Sequence, residues 1–137
     1  MSEKIRIKGR AEWPGVVCAE ALVSPIPLEG FANLDVERGF VTERGHPLFK
    51  TPMMNKVLVF PSPRGSGGFS GYGRMAEKGP VAFVHTESNA LTVACIMNGR
   101  VPSMTDFEID PMTIIETGDT VLVNADEGFI EITKKET

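Results

Sequence analysis

Lys56-Val57-Leu58-Val59-Phe60-Pro61-Ser62-Pro63-Arg64-Gly65-Ser66-Gly67-Gly68-Phe69-Ser70-Gly71-Tyr72-Gly73 is the stretch on which the reading of this chain turns. Its opening is a continuous apolar run stopped by Pro61, the pattern of a central strand covered on both faces. Val81-Ala82-Phe83-Val84 has the same character. Two buried strands therefore bracket a glycine-rich turn and one helix, expected from about Ser70 to Lys78 and stopped by Gly79-Pro80.

Working outward, Ile5 to Arg10 and Val16 to Val23 are strand candidates. Ser24-Pro25-Ile26-Pro27-Leu28 must leave any ladder, because its two prolines cannot donate. A long irregular loop is expected from there to about Asn55, with Gly39-Phe40-Val41-Thr42 as one short strand inside it. Downstream, Ser88 is the expected N-cap of a second helix with Ala90, Leu91, Val93, Ala94 and Met97 on a core-facing stripe and Gly99 at its end. Val121, Val123, Phe129 and Ile130 fall in two strands joined by Asn124-Ala125-Asp126-Glu127-Gly128, which predicts a terminal hairpin. The order of elements describes a β-rich α/β fold rather than a doubly wound sheet. With 137 residues it fits one domain over 1–137, residues 133–137 being expected to fray.

Composition removes several functions. A net charge of −4 offers none of the positive field that nucleic acid or anionic lipid rewards, and no apolar run is long enough to span a membrane. Met1-Ser2-Glu3-Lys4-Ile5-Arg6-Ile7-Lys8 alternates charged and apolar residues, and reads as a strand rather than a secretory signal. Cys18 and Cys95 are each embedded in apolar sequence, as buried free thiols of a reducing, cytoplasmic protein are. His46 and His85 form no ligand spacing with them or with a carboxylate, so no metal or cofactor is expected on this chain.

The loop is where chemistry is expected. A glycine-rich turn leading into a helix presents backbone N–H groups to an anion, Arg64 adds a planar cationic fork, and Ser62, Ser66 and Ser70 supply hydroxyls. The nucleotide motifs do not fit: GxxxxGK[ST] is absent and the glycines never give GxGxxG. A plain flexible loop fits the same composition, and spacing alone leaves the two readings open.

The run Val57-Leu58-Val59-Phe60-Pro61-Ser62-Pro63-Arg64-Gly65-Ser66 resembles the small subunit of the aconitase X family, where a strand leads into P-S-x-R-G-S. The likeness covers most of the chain: Gly9-Arg10, Gly15 and Glu20-Ala21-Leu22-Val23 upstream, His46-Pro47-Leu48 before the central strand, then Asp110-Pro111, Glu116-Thr117-Gly118-Asp119 and the hairpin. The resemblance implies a swivelling β/β/α barrel like the mobile C-terminal domain of aconitase, docked on a large subunit carrying an iron or iron–sulfur centre. It implies a hydro-lyase in which Ser66 removes a proton while iron takes the leaving hydroxyl. Ser62, Arg64, Gly65, Gly67 and Ser70 would bind a hydroxy acid such as cis-3-hydroxy-L-proline or phosphomevalonate. Ser66-Gly67-Gly68-Phe69-Ser70 departs from the family's usual S-S/T-x-G-S by losing the second hydroxyl, and Phe49-Lys50 follows His46-Pro47-Leu48 where glycine is usual.

Other singled-out residues have plainer roles. His46 is expected to cap backbone groups, Asp106, Asp110 and Asp119 to hold turns, and Trp13, Met53 and Met54 to pack. Two rival functions stand beside the hydro-lyase. One is a phosphohistidine carrier domain, which needs a histidine soon after its glycine turn where this chain offers only His85. The other is a non-catalytic binding or assembly module that uses the loop as a grip.

Overall fold

The structure, a computed structural model, describes residues 3–30, 32–64 and 69–136. The chain opens with β1 (Lys4–Lys8), β2 (Arg10–Trp13) and β3 (Val16–Val23), followed by the short β4 (Leu28–Glu29), β5 (Leu34–Asp35) and β6 (Phe40–Val41). β7 (Lys56–Phe60) and β8 (Pro63–Arg64) lead to α1 (Ser70–Arg74), and then come β9 (Ala82–His85), α2 (Ala90–Met97) and β10 (Ser103–Thr105). β11 (Thr120–Asn124) and β12 (Phe129–Thr133) close the fold as the predicted hairpin.

One mixed sheet of 8 strands runs β1-β12-β11-β3-β7-β9-β10-β2. β3, β7, β9 and β10 are parallel neighbours at its centre, and antiparallel pairs flank them on both sides. The two outermost strands, β1 and β2, are separated in sequence by Gly9 alone. Glycine is required there because a Cβ would lie 2.5 Å from the Phe107 ring.

The continuous apolar run of β7 is explained by a core on each side of the sheet. Val57 and Val59 join Ile7, Val84, Val121 and Ile130, whereas Leu58 and Phe60 join Phe69, Tyr72, Phe83 and Ile96. The irregular segment after β3 closes the second core with Leu28, Val41, Leu48 and Met53, and β6 is the short strand expected inside it.

Several expectations need correction. The helix predicted over 70–78 ends at Arg74; Ala76 takes φ +52° and residues 76–78 form a 3₁₀ turn. The N-cap of α2 is Asn89, whose side chain accepts from the Leu91 and Thr92 amides while Thr92 Oγ1 accepts from the Asn89 amide. This reciprocal box turns Thr92 and Ile96 inward and leaves Leu91 74% exposed, so the apolar stripe read from the sequence faces outward. Cys18 is exposed and Cys95 half-buried, not buried as expected. On β3 the outer positions Val16, Cys18 and Glu20 lie beyond the reach of the covering segment. Residues 133–135, expected to fray, are held in place, and Thr137 lies outside the described residues. Thr133 belongs to β12, the Lys134 amide donates to Glu3 O, and Lys134 Nζ and the Lys135 amide donate to the Asp119 carboxylate.

Candidate functional site

Both ends of the glycine-rich loop are fastened to one short segment. On entry, β8 pairs in parallel with β4, Leu28 opposite Pro63 and Glu29 opposite Arg64, and the Leu28 amide donates to Ser62 O. On exit, the Gly71 amide donates to Gly30 O at 2.8 Å, and Phe69 packs so closely on Gly30 that no Cβ fits. The Pro61 carbonyl is held from the other side by the Thr86 and Glu87 amides and the Thr86 hydroxyl. Gly65, Ser66, Gly67 and Gly68 lie outside the described residues, so the geometry that bears on Ser66 is that of its anchors.

The described loop residues differ from one another in role. Ser62 is buried, 7% exposed, within the scaffold of the turn. Arg64 donates to Glu43, so its charge is already matched by a carboxylate. Phe69 takes φ +60° at the start of α1 and contributes no side-chain cap, and α1 has only 5 residues. A helix that short supplies little dipole, and the positive end expected from the sequence is correspondingly weak. Ser70 lines an open cleft of about 290 Å³ together with Gly73, Arg74, Asn98 and Arg100. α1 and the end of α2 meet there closely: a Cβ on Gly73 would lie 2.5 Å from Asn98 O. Arg74 and Arg100 escaped the sequence reading because the cleft depends on where α2 ends, which only the folded chain reveals.

His46 caps the turn that precedes β7, as expected. Its Nδ1 accepts from the Leu48 amide at 2.9 Å, which requires that nitrogen to be unprotonated. Burial lowers the His46 pKa below the ordinary value and Arg64 adds to this, while Glu43 and the Pro27 backbone oppose the shift. His85 is wholly buried, stacks on Phe60 at 5.7 Å and meets Glu12 Oε1 through Nε2 at 2.5 Å. A phosphodonor cannot reach a ring in that position, which weighs against the carrier reading. Asp110 caps the turn at residues 111–113 through the Met112 amide, and Asp119 accepts from the Glu116 amide, both being the turn-holding roles foreseen. Among the described residues no group of three His, Cys, Asp or Glu side chains could hold a metal ion. Among them, too, no helix is long and apolar enough to cross a membrane.

The profile of the aconitase X swivel domain matches residues 6–132. The phosphomevalonate dehydratase small subunit of Methanosarcina mazei is 34% identical over 96% of this chain and 93% of its own. That of Pyrococcus horikoshii is 30% identical over 93% and 96%. The crystal structure of holo-form aconitase X from Thermococcus kodakaraensis superposes with a TM-score of 0.82 at 27% identity, covering 93% of this chain and 98% of that one. A mixed sheet shared along nearly the whole length, together with this continuous sequence match, places the chain in the aconitase X swivel-domain family.

Proposed function

We propose that this chain is the small subunit of a two-subunit hydro-lyase, inactive alone, that lays its glycine-rich loop over a large subunit and dehydrates a phosphorylated hydroxy acid. The observation that carries the reading is the near full-length likeness to small subunits named for phosphomevalonate dehydratase. It favours phosphomevalonate over cis-3-hydroxy-L-proline as the substrate.

Dehydration breaks a C–H and a C–O bond on neighbouring carbons, forms a C=C bond and releases water. In this reading Ser66, as its alkoxide, accepts the carbon-bound proton, and anchoring at Gly30 and Pro61 fixes the approach of the loop. A serine alkoxide is accessible only in a water-poor site with fixed positive groups nearby, so closure over the partner is part of the chemistry. No group of three His, Cys, Asp or Glu side chains among the described residues could hold a metal ion; in this reading an iron or iron–sulfur group would sit on the large subunit, and no step of this chain runs through one. The adjacency of the outermost strands through Gly9 supports the swivelling barrel, and the unbridged thiols support a cytoplasmic setting.

Ser66→Ala in the assembled two-subunit enzyme tests the reading. Loss of a proton acceptor should lower turnover by roughly 10²–10⁴-fold while the subunits still co-elute. Turnover per complex close to that of the unmodified enzyme would leave the loop as a grip and reject the role.

A further inference from the structure

Four of the other arginines are paired with carboxylates: Arg6 with Glu131, Arg10 with Asp106, Arg38 with Asp35 and Arg64 with Glu43. Arg44 has no ion pair among the described residues and is not in the lining of the Ser70 cleft. Arg74 and Arg100 have no ion pair among the described residues, and both line the cleft that begins at Ser70. Among the described residues the lining contains no carboxylate, on a chain whose net charge is −4. Two arginines without an ion pair among the described residues, lining one cleft of an acidic molecule, give that cleft a local positive charge suited to an anion.

The backbone is strained to build it. Arg100 sits at φ +58°, a conformation that costs a non-glycine residue free energy and that normally falls to a glycine after a helix. The glycine here stands one residue earlier, because a Cβ at Gly99 would lie 2.3 Å from the Phe83 ring. The left-handed turn therefore falls on Arg100, which lines the cleft together with Arg74 and Ser70. Strain of this kind persists where the surrounding structure holds it, here through the contact of Gly99 with Phe83. The cleft also begins one residue after Phe69, so it adjoins the loop that carries Ser66.

We propose that Arg74 and Arg100 form the subsite for the phosphate monoester of the substrate, and that they set the preference for a phosphorylated over an unphosphorylated hydroxy acid. This rests on the function proposed above for the neighbouring loop. A phosphate dianion suits paired planar forks better than a single carboxylate does, since each fork can donate two parallel hydrogen bonds to it. Arg64, already matched by Glu43, is poorly placed to serve the same purpose.

The test compares the assembled enzyme with its R74A, R100A and R74A/R100A variants on phosphomevalonate and on mevalonate, and titrates each complex with inorganic phosphate. Each single change should raise KM for phosphomevalonate roughly tenfold or more, as expected for losing a charge-assisted hydrogen bond, with a much smaller change in kcat. The double variant should lose both the preference for phosphomevalonate and the binding of inorganic phosphate, and R74K/R100K should recover part of each. Unchanged KM and phosphate binding in the double variant overturns the subsite, as does a defect confined to subunit assembly. If the unmodified complex binds phosphate through these arginines yet does not dehydrate phosphomevalonate, the reaction assignment falls and the anion subsite stands.

Discussion

Gly30 and Phe69 occupy one space: a Cβ added at Gly30 would lie 2.0 Å from Phe69 Cδ1, 2.3 Å from its Cα and 2.5 Å from its amide nitrogen. Two of those atoms are backbone, so no rotamer change relieves the clash. Gly30→Ala should push the exit of the loop away from its anchor. The expected outcome is a loss of about 1–3 kcal/mol in urea unfolding together with a fall in turnover of the assembled enzyme. An unchanged unfolding midpoint would show that residues 69–71 are not tied to this segment.

Glu12 and His85 bridge β2 and β9 with both side chains fully buried. Removing one member leaves the other without its partner in a water-free position. Glu12→Leu should therefore cost about 3–5 kcal/mol, measured by chemical denaturation. Adding His85→Leu should return much of that loss, because two apolar groups in contact need no hydrogen bond. Strict additivity of the two changes would contradict the coupling.

His46 gives a pH signature on the acid side of neutrality. Its folded pKa lies below the ordinary value, so the folded state prefers the neutral ring and the unfolded state takes up the proton first. The preference has no effect well above about pH 6.5, and it removes stability as pH falls through that value towards the lowered folded pKa. His46→Gln should flatten this part of the stability curve. A wild-type curve equally flat between neutral and mildly acid pH would count against the buried Nδ1 acceptor.

Asp119 and Lys134 predict a second limb, at lower pH. Burial alone would raise the Asp119 pKa, but the Lys134 hydrogen bond, the Glu116 and Lys135 amides and the Lys134 charge together hold it below the ordinary value. Lys134 is itself shifted upward: burial opposes its charge, and Asp119 and Glu116 outweigh that. The Asp119 contribution is complete above about pH 4 and is lost as pH falls through the depressed folded pKa. The Lys134 contribution is present at neutral pH and is lost only as pH rises through its elevated value. Asp119→Asn should destabilise the chain at neutral pH and reduce its acid sensitivity, as followed by thermal unfolding across a pH series.

What the sequence made legible was local or strongly patterned. The unbroken apolar run at 56–60 announced a strand between two cores, and residues 120–133 announced their hairpin. The face of α2 was misread because apolar content favoured Leu91 and Met97, whereas the capping box and the room beside Phe83 turned Thr92 and Ile96 inward. The helix after the loop was read too long, since nothing local betrays the left-handed Ala76. Contacts between distant residues carry no local signature: Arg64 and Glu43 are 21 positions apart, and His85 and Glu12 are 73. Of the candidate site, motif and composition single out the loop and Ser70, and residues 65–68 of that loop lie outside the described residues. The Arg74 and Arg100 cleft required knowing that Gly99 is committed to Phe83.

The pairing of β1 with β12 brings Arg6 to Glu131 across 125 positions. During synthesis the first strand emerges long before its ladder partner exists, and it must wait with its hydrogen-bonding edge uncovered. Pairing of these two strands is therefore a late event with a large loop-closure cost. Nascent chains stalled before residue 129 should remain protease-sensitive at both ends.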